Sequence, residues 1–196
     1  MRKMFFLGMA AAASLLAALA PNAHAQSRSE TPKVEIGAHY TLLRISGFGS
    51  NDATDSGVGG RVTYNVNSKV GIEGEYNFFP EGRLNFATLS TVLDSNRTQG
   101  LFGVKYAIAR SNSAAIFAKA RPGFMRFSQG TPAVGTSSNE TQFAFDYGGV
   151  VELYPSRAIA LRFDVGDTLI RYDNPVFANP FFTHNLQIST GVALRF

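Results

Sequence analysis

Apolar and polar residues alternate one by one along the end of the chain, Leu186-Gln187-Ile188-Ser189-Thr190-Gly191-Val192-Ala193-Leu194-Arg195-Phe196. Successive side chains of a β-strand point to opposite faces, so this segment is a strand with one apolar face. The same period of two recurs at residues 34–45, 57–66, 69–79, 97–107, 114–127, 141–154 and 158–172. Ordinary globular strands run to about 5–6 residues, whereas a tilted strand needs about 9–11 to cross a bilayer. Most of these segments reach the longer length. No segment beyond the N-terminus is long and apolar enough for a membrane-spanning helix.

The links between the strands are short at 67–68, 108–113 and 155–157, and long at 46–56, 80–96, 129–140 and 173–184. The two kinds alternate strictly, and the long ones are rich in Gly, Asn, Ser and Pro. In an up-and-down barrel this puts every short turn at one end and every long loop at the other, the asymmetry of outer-membrane barrels. The pattern therefore predicts an all-β chain, an eight-stranded antiparallel up-and-down transmembrane β-barrel over residues 34–196. Its short turns are periplasmic, its longer loops extracellular, and both its ends periplasmic. No linker marks a second domain.

Ahead of the barrel, Arg2 and Lys3 precede an apolar run from Met4 to Ala20, broken only by Ser14 and closed by Pro21. Ala23-His24-Ala25 then places small residues where a signal peptidase reads them, so residues 1–25 are expected to be a cleaved signal peptide and 26–33 a short periplasmic segment. The formal charge of +4 falls by two once Arg2 and Lys3 leave. The remaining charges are interspersed, which removes a nucleic-acid footprint. The chain has no cysteine, so a disulfide framework, a thiolate metal site and a lipid-modified cysteine are excluded.

Parity sorts the charges. The polar faces collect Glu35, Glu73, Glu75, Asp146, Glu152 and Asp164, and against them Arg61, Lys105, Lys119, Arg121, Arg162 and Arg195. An eight-stranded interior is just wide enough for side chains to fill it, and ions packed there must be paired. The balance of signs is what a closed lumen requires. The opposite faces are aliphatic and aromatic, with Tyr and Phe recurring near strand ends as in an interfacial girdle. A soluble secreted barrel with an apolar pocket is the competing architecture. Strand length, the charge balance and the terminal residue weigh against it.

Val192-Ala193-Leu194-Arg195-Phe196, with apolar residues at alternate positions and a final Phe, resembles the C-terminal signature of bacterial outer-membrane proteins. The whole mature chain resembles the small OmpA/OmpX-like transmembrane barrel. The resemblance implies insertion into the outer membrane by its assembly machinery, with Phe196 as the assembly signal. It implies no cell-wall tether, because no peptidoglycan-binding domain follows.

Function is less legible. There is no Gly-x-Ser-x-Gly elbow and no His-Glu-x-x-His helix. His39 has lumen parity and is expected to join the charge network, and His184 is expected near the outer mouth. No nucleophile–base pair emerges, so no catalytic residue, metal or cofactor is expected, and a lipid A-modifying enzyme is the least favoured class. A filled lumen leaves at best a narrow pore. A structural or surface-interaction role, adhesion-like and carried by the loops toward an extracellular ligand or host surface, needs least.

Arg44, Arg126 and Arg171 lie near the extracellular ends of their strands with lipid parity. They are expected at the outer headgroup level, as a belt of contacts to lipopolysaccharide phosphates. Phe181 and Phe182 are expected in the outer aromatic girdle. Two positions strain the pattern. Asp167 has lipid parity, which either a bulge at Gly166 or an interfacial position would resolve, and Pro122 removes a ladder hydrogen bond in mid-strand.

Overall fold

The computed structural model describes residues 32–45, 53–80, 95–131, 136–172 and 180–196. They belong to the compact unit Thr31–Phe196. The expected signal peptide, residues 1–25, and most of the long link 173–184 lie outside the described residues.

Eight strands follow one another: β1 (Val34–Ile45), β2 (Ala53–Asn65), β3 (Val70–Phe79), β4 (Ser95–Arg110), β5 (Ala114–Thr131), β6 (Thr136–Leu153), β7 (Ile159–Tyr172) and β8 (Phe181–Arg195). Each pairs antiparallel with its neighbours in sequence, and β8 closes on β1. Closure leaves no open edge, so every strand exchanges its ladder bonds on both sides, as a membrane-spanning sheet must.

The tight turns are built by their own side chains. Asn67 Oδ1 accepts the backbone N–H groups of Lys69 and Val70, each at 2.8 Å, which folds the chain between β2 and β3. Ser111 makes the equivalent turn, its Oγ accepting from Ala114 N at 3.1 Å. At the opposite end several strands outrun their expected limits. β2 begins at Ala53, β4 at Ser95, β8 at Phe181, and β5 and β6 continue to Thr131 and from Thr136. Apart from Phe181 and Phe182, those extensions are largely polar on both faces, so no apolar stripe marks them.

Three irregular positions resolve. The β6–β7 register runs unbroken through Gly148–Gly166 and Tyr147–Asp167, so Gly166 makes no bulge and Asp167 faces outward. A register shift falls instead in β4 between Ala107 and Ala109, where β4 runs on past its expected end to Arg110. Opposite Pro122 the β4–β5 ladder is interrupted between Leu101–Gly123 and Val104–Ala120, while Pro122 keeps its place beside Phe145 of β6.

The core is the lumen. At the short-turn end it holds Ala107, Ala115, Phe117 and Val150 with Tyr154 against them. At the other end it holds Leu43, Phe79, Met125, Ala144 and Ile170, with Ile45, Phe127 and Tyr172 packed on. Polar groups fill the space between. Ile36, Val58, Phe102, Phe163 and Leu194 are among the large apolar side chains exposed on the outside. That inside-out distribution is what a barrel in lipid requires.

Candidate functional site

The twelve charged residues sorted by parity all point inward and join into one network. They come from all eight strands: Glu35 (β1), Arg61 (β2), Glu73 and Glu75 (β3), Lys105 (β4), Lys119 and Arg121 (β5), Asp146 and Glu152 (β6), Arg162 and Asp164 (β7) and Arg195 (β8). All but the half-buried Arg195 are buried.

Arg121 and Arg162 are its hubs. Arg121 donates from Nε and Nη2 to Asp146 Oδ2 at 2.8 and 2.6 Å, and from Nη1 to Glu75 Oε2 at 2.6 Å. Asp146 is its register partner on β6, whereas Glu75 reaches it from β3. Arg162 clamps Glu73 through both Nη atoms, with Nη2 to Oε2 at 2.9 Å. It also donates to Asp164 Oδ2 at 2.9 Å and Glu152 Oε1 at 3.1 Å. Arg61 bridges Glu75 and Asp164 at 3.1 and 3.2 Å. Lys119 joins Asp146 at 2.9 Å and also pairs with Asp164. Bidentate guanidinium–carboxylate pairs suit so tight a space, because one planar fork satisfies several acceptors.

Toward the short-turn end, Lys105 donates to Glu152 Oε1 at 2.6 Å and to Glu35 Oε2 at 3.3 Å, and lies 4.5 Å over the Phe117 ring. Arg195 bonds Glu35 at 3.2 Å and lies 4.0 Å over Tyr154. Tyr154, just past β6, donates to Glu152 Oε2 at 2.8 Å. Burial first, and then the Glu152 charge, push its phenol above the usual range, so it stays a donor.

Toward the other end the charges give way to amides. His39 Nε2 meets Asn77 Oδ1 at 2.6 Å and lies 3.6 Å from Glu75. Asn77 Nδ2 donates to Glu75 and to Gln99, and Gln99 and Gln187 exchange hydrogen bonds across the lumen at 3.1 and 3.2 Å. Asp55 and Arg97 pair above this layer, with Arg97 lying 5.6 Å over Phe127. This amide tier went unread in the sequence, although its members share the luminal parity of their strands.

Glycines make room for the network, Gly59 and Gly166 among them. A Cβ on Gly59 would stand 2.1 Å from Asn77 Oδ1 and 2.5 Å from His39 Nε2. One on Gly166 would stand 3.0 Å from Asp146 Oδ1 and 3.1 Å from Lys119 Cε.

The outer-face residues are placed as follows. Arg44, Arg126 and Arg171 are exposed on outward positions of β1, β5 and β7. Phe182 is exposed on the outside, whereas Phe181 stacks on Tyr172 at 5.5 Å between centroids. Phe196 is outward and exposed, and its backbone pairs with Val34. His184 is not in a loop at the mouth: it is in β8, outward, with Nδ1 2.6 Å from Asp167 Oδ2.

Residues 10–196 match the outer membrane protein beta-barrel domain family, and the chain belongs to it. A search of curated proteins finds no match in sequence. Among solved structures, the barrel is similar to Neisserial surface protein A (NspA), with 13% identity, a TM-score of 0.63, and 86% of this chain and 100% of that one covered. It is also similar to Ail, the attachment invasion locus protein of Yersinia pestis, solved with the heparin analogue sucrose octasulfate. There identity is 12% and the TM-score 0.57, over 85% and 99% of the two chains. A third is the N-terminal β-barrel domain of Pseudomonas aeruginosa OprF, with 10% identity and a TM-score of 0.54 over 85% and 100%. The family is one of the bacterial outer membrane, and the short turns are therefore periplasmic and the long connections extracellular.

Proposed function

We propose that this protein is a closed outer-membrane scaffold with a structural or surface-interaction role, not a pore and not an enzyme. One observation carries the reading: twelve mutually paired charges from all eight strands occupy the middle of the lumen, between apolar clusters at both mouths. A conducting path would need these side chains to part, and each parting would strand a buried ion. A rigid, filled barrel is a platform for exposed connections, which is where recognition resides on many scaffolds. The names of two neighbours in fold, a surface protein and an attachment protein, agree with such a role, although fold alone does not assign function.

Planar-bilayer recording tests the closed lumen. The wild-type barrel is expected to be silent, and steady single-channel openings would overturn the reading. Exchange of the four extracellular connections for short Asn-Gly turns tests the scaffold half. Binding of cells bearing the barrel to epithelial or matrix surfaces should fall to background while the barrel still folds.

A further inference from the structure

The periplasmic rim carries side-chain charge of one sign. Lys33 stands one residue before β1, Lys69 in the turn from β2 to β3, Arg110 at the end of β4 and Arg157 in the turn from β6 to β7. All four are exposed. The strands follow one another around the closed wall, so these cations are spread over its whole circumference. Among the described residues no Asp or Glu side chain is exposed at this end, since Glu35 and Glu152 are buried in the luminal network. Phe196 adds the carboxylate that ends the chain, beside β1. None of the four cations is paired with a carboxylate among the described residues. Arg110 donates to the Ser68 carbonyl at 2.8 Å and lies 5.9 Å from the Tyr154 ring. The extracellular end differs: there Arg44, Arg126 and Arg171 share the outer wall with Glu140 and Asp167.

Neighbouring side chains set the depth. Tyr64 stands across from Val34 and Tyr106 from Val70, both outward and about half exposed. A tyrosine on a lipid-facing wall keeps its ring in hydrocarbon and its hydroxyl among headgroups. Lys33 and Lys69 directly precede Val34 and Val70, so they lie one residue, about 3.3 Å, beyond the level of the tyrosines. At that depth a long side chain lays its methylenes along the apolar wall and holds its charge at a phosphate. Turns that met only water would need no single sign. A protein partner would meet the barrel on one side, whereas these cations go all round it. The annulus of lipid is what touches a membrane barrel on every side.

We propose that Lys33, Lys69, Arg110 and Arg157 form a collar that recruits anionic phospholipid headgroups of the periplasmic leaflet. Each cation meets a different position in the annulus, so the collar enriches anionic lipid around the barrel and builds no single deep site. The guanidinium groups suit two parallel hydrogen bonds to a phosphate, and the lysines act as point charges. Arg110 keeps donors for this while one N–H group holds the Ser68 carbonyl. The collar is independent of the closed-lumen reading, and either can fail without the other.

The test is photolabelling of the full barrel in phosphatidylcholine vesicles. They hold a trace of either phosphatidylglycerol or phosphatidylcholine with a photoreactive group close to its ester linkage, and the labelled peptides are mapped by mass spectrometry. Phosphatidylglycerol should label the short turns about fivefold more than phosphatidylcholine does, the factor to which about 1 kcal/mol per cation near an anionic surface corresponds. The preference should vanish at about 1 M salt, where screening acts within about 3 Å. Lys33→Gln/Lys69→Gln/Arg110→Gln/Arg157→Gln should lose it, and Arg44→Gln/Arg126→Gln/Arg171→Gln should keep it at the short turns. Equal labelling of the turns by the two lipids would overturn the proposal using wild-type protein alone, whatever the variants do to folding. So would a preference that survives in the quadruple variant. Sedimentation of the detergent-folded barrel with purified peptidoglycan is the second arm. Salt-sensitive cosedimentation together with equal labelling would assign the cations to the cell wall and overturn the lipid as their partner.

Discussion

Inside and outside, the barrel wall uses the same alternation to opposite ends. The inner face holds the twelve-charge network, eleven of its members buried and each bonded to an opposite charge, with Asp55 and Arg97 paired beyond it. The outer face is apolar over most of its height, and Arg44, Arg126, Asp167, Arg171 and His184 lie on it toward the extracellular end. The difference lies in what replaces water. Inside, other side chains do, so each charge depends on its partner. Outside, headgroups and water remain near, so a charge near the rim costs little.

The largest expected effect breaks the inside. Arg121→Ala takes the hub from Asp146 and Glu75, both fully enclosed, leaving Lys119 on one and Arg61 on the other, and removal of one partner from a buried pair costs about 3–5 kcal/mol. The midpoint of urea unfolding in vesicles should fall accordingly, and ion leakage across the bilayer should rise. An unchanged midpoint with unchanged leakage would mean that water reaches the network.

Smaller is the cost of crowding the same space. Gly59→Ala puts a methyl against Asn77, His39 and the Tyr76 carbonyl, which stands 2.7 Å from the new carbon. Overpacking of this kind costs about 1–3 kcal/mol. Gly74→Ala, on the outer face with open space around it, is the matched control and should be nearly silent. Equal effects at the two positions would erase the contrast between the faces.

How much of this the sequence disclosed follows from the same contrast. Parity is local, so the inward placement of Glu73, Arg121 and the other ten could be read from single strands. Partnership is not local. Arg121 meets Glu75 across the lumen and Arg162 meets Glu73, and those pairings exist only once eight registers are set. The same gap hid the bond between Asp167 and His184, which depends on the β7–β8 register. His184 was also assigned to a loop, because Phe181–Asn185 begins β8 without an apolar stripe on both sides of it. A polar residue on the apolar parity of Asp167 was the one available signal. The amide tier of Asn77, Gln99 and Gln187 was missed for a simpler reason: neutral side chains do not stand out on a polar face.

At the periplasmic mouth, Tyr154→Phe sharpens the comparison at an intermediate point, where the lumen meets the outside. The substitution removes a single donor to Glu152 while Lys105 and Arg162 still hold that carboxylate. The expected loss is about 0.5–1.5 kcal/mol, the net worth of one hydrogen bond. A loss as large as that of Arg121→Ala would place Tyr154 among the hubs.

The smallest effect on the folded state is expected at Phe196. Its side chain lies on the outside, 67% exposed, and its backbone carries the contact that matters, with N–H to Val34 O at 2.8 Å and its carbonyl accepting from Val34 N at 3.2 Å. Phe196→Ala keeps both hydrogen bonds and takes away only a lipid-facing ring, so the unfolding midpoint should move by about 1 kcal/mol or less, in the range of substitutions away from packed or buried features. Assembly is another matter. An aromatic exposed at the end of β8, the strand that closes on β1, is available to a recognition surface before closure and to lipid after it. Pulse-chase in cells should therefore show slowed appearance of the folded, heat-modifiable form, while refolding into synthetic vesicles keeps its rate. If both rates fall together, the ring acts through membrane partition alone. If neither falls, the terminal Phe is one more apolar side chain of the outer wall.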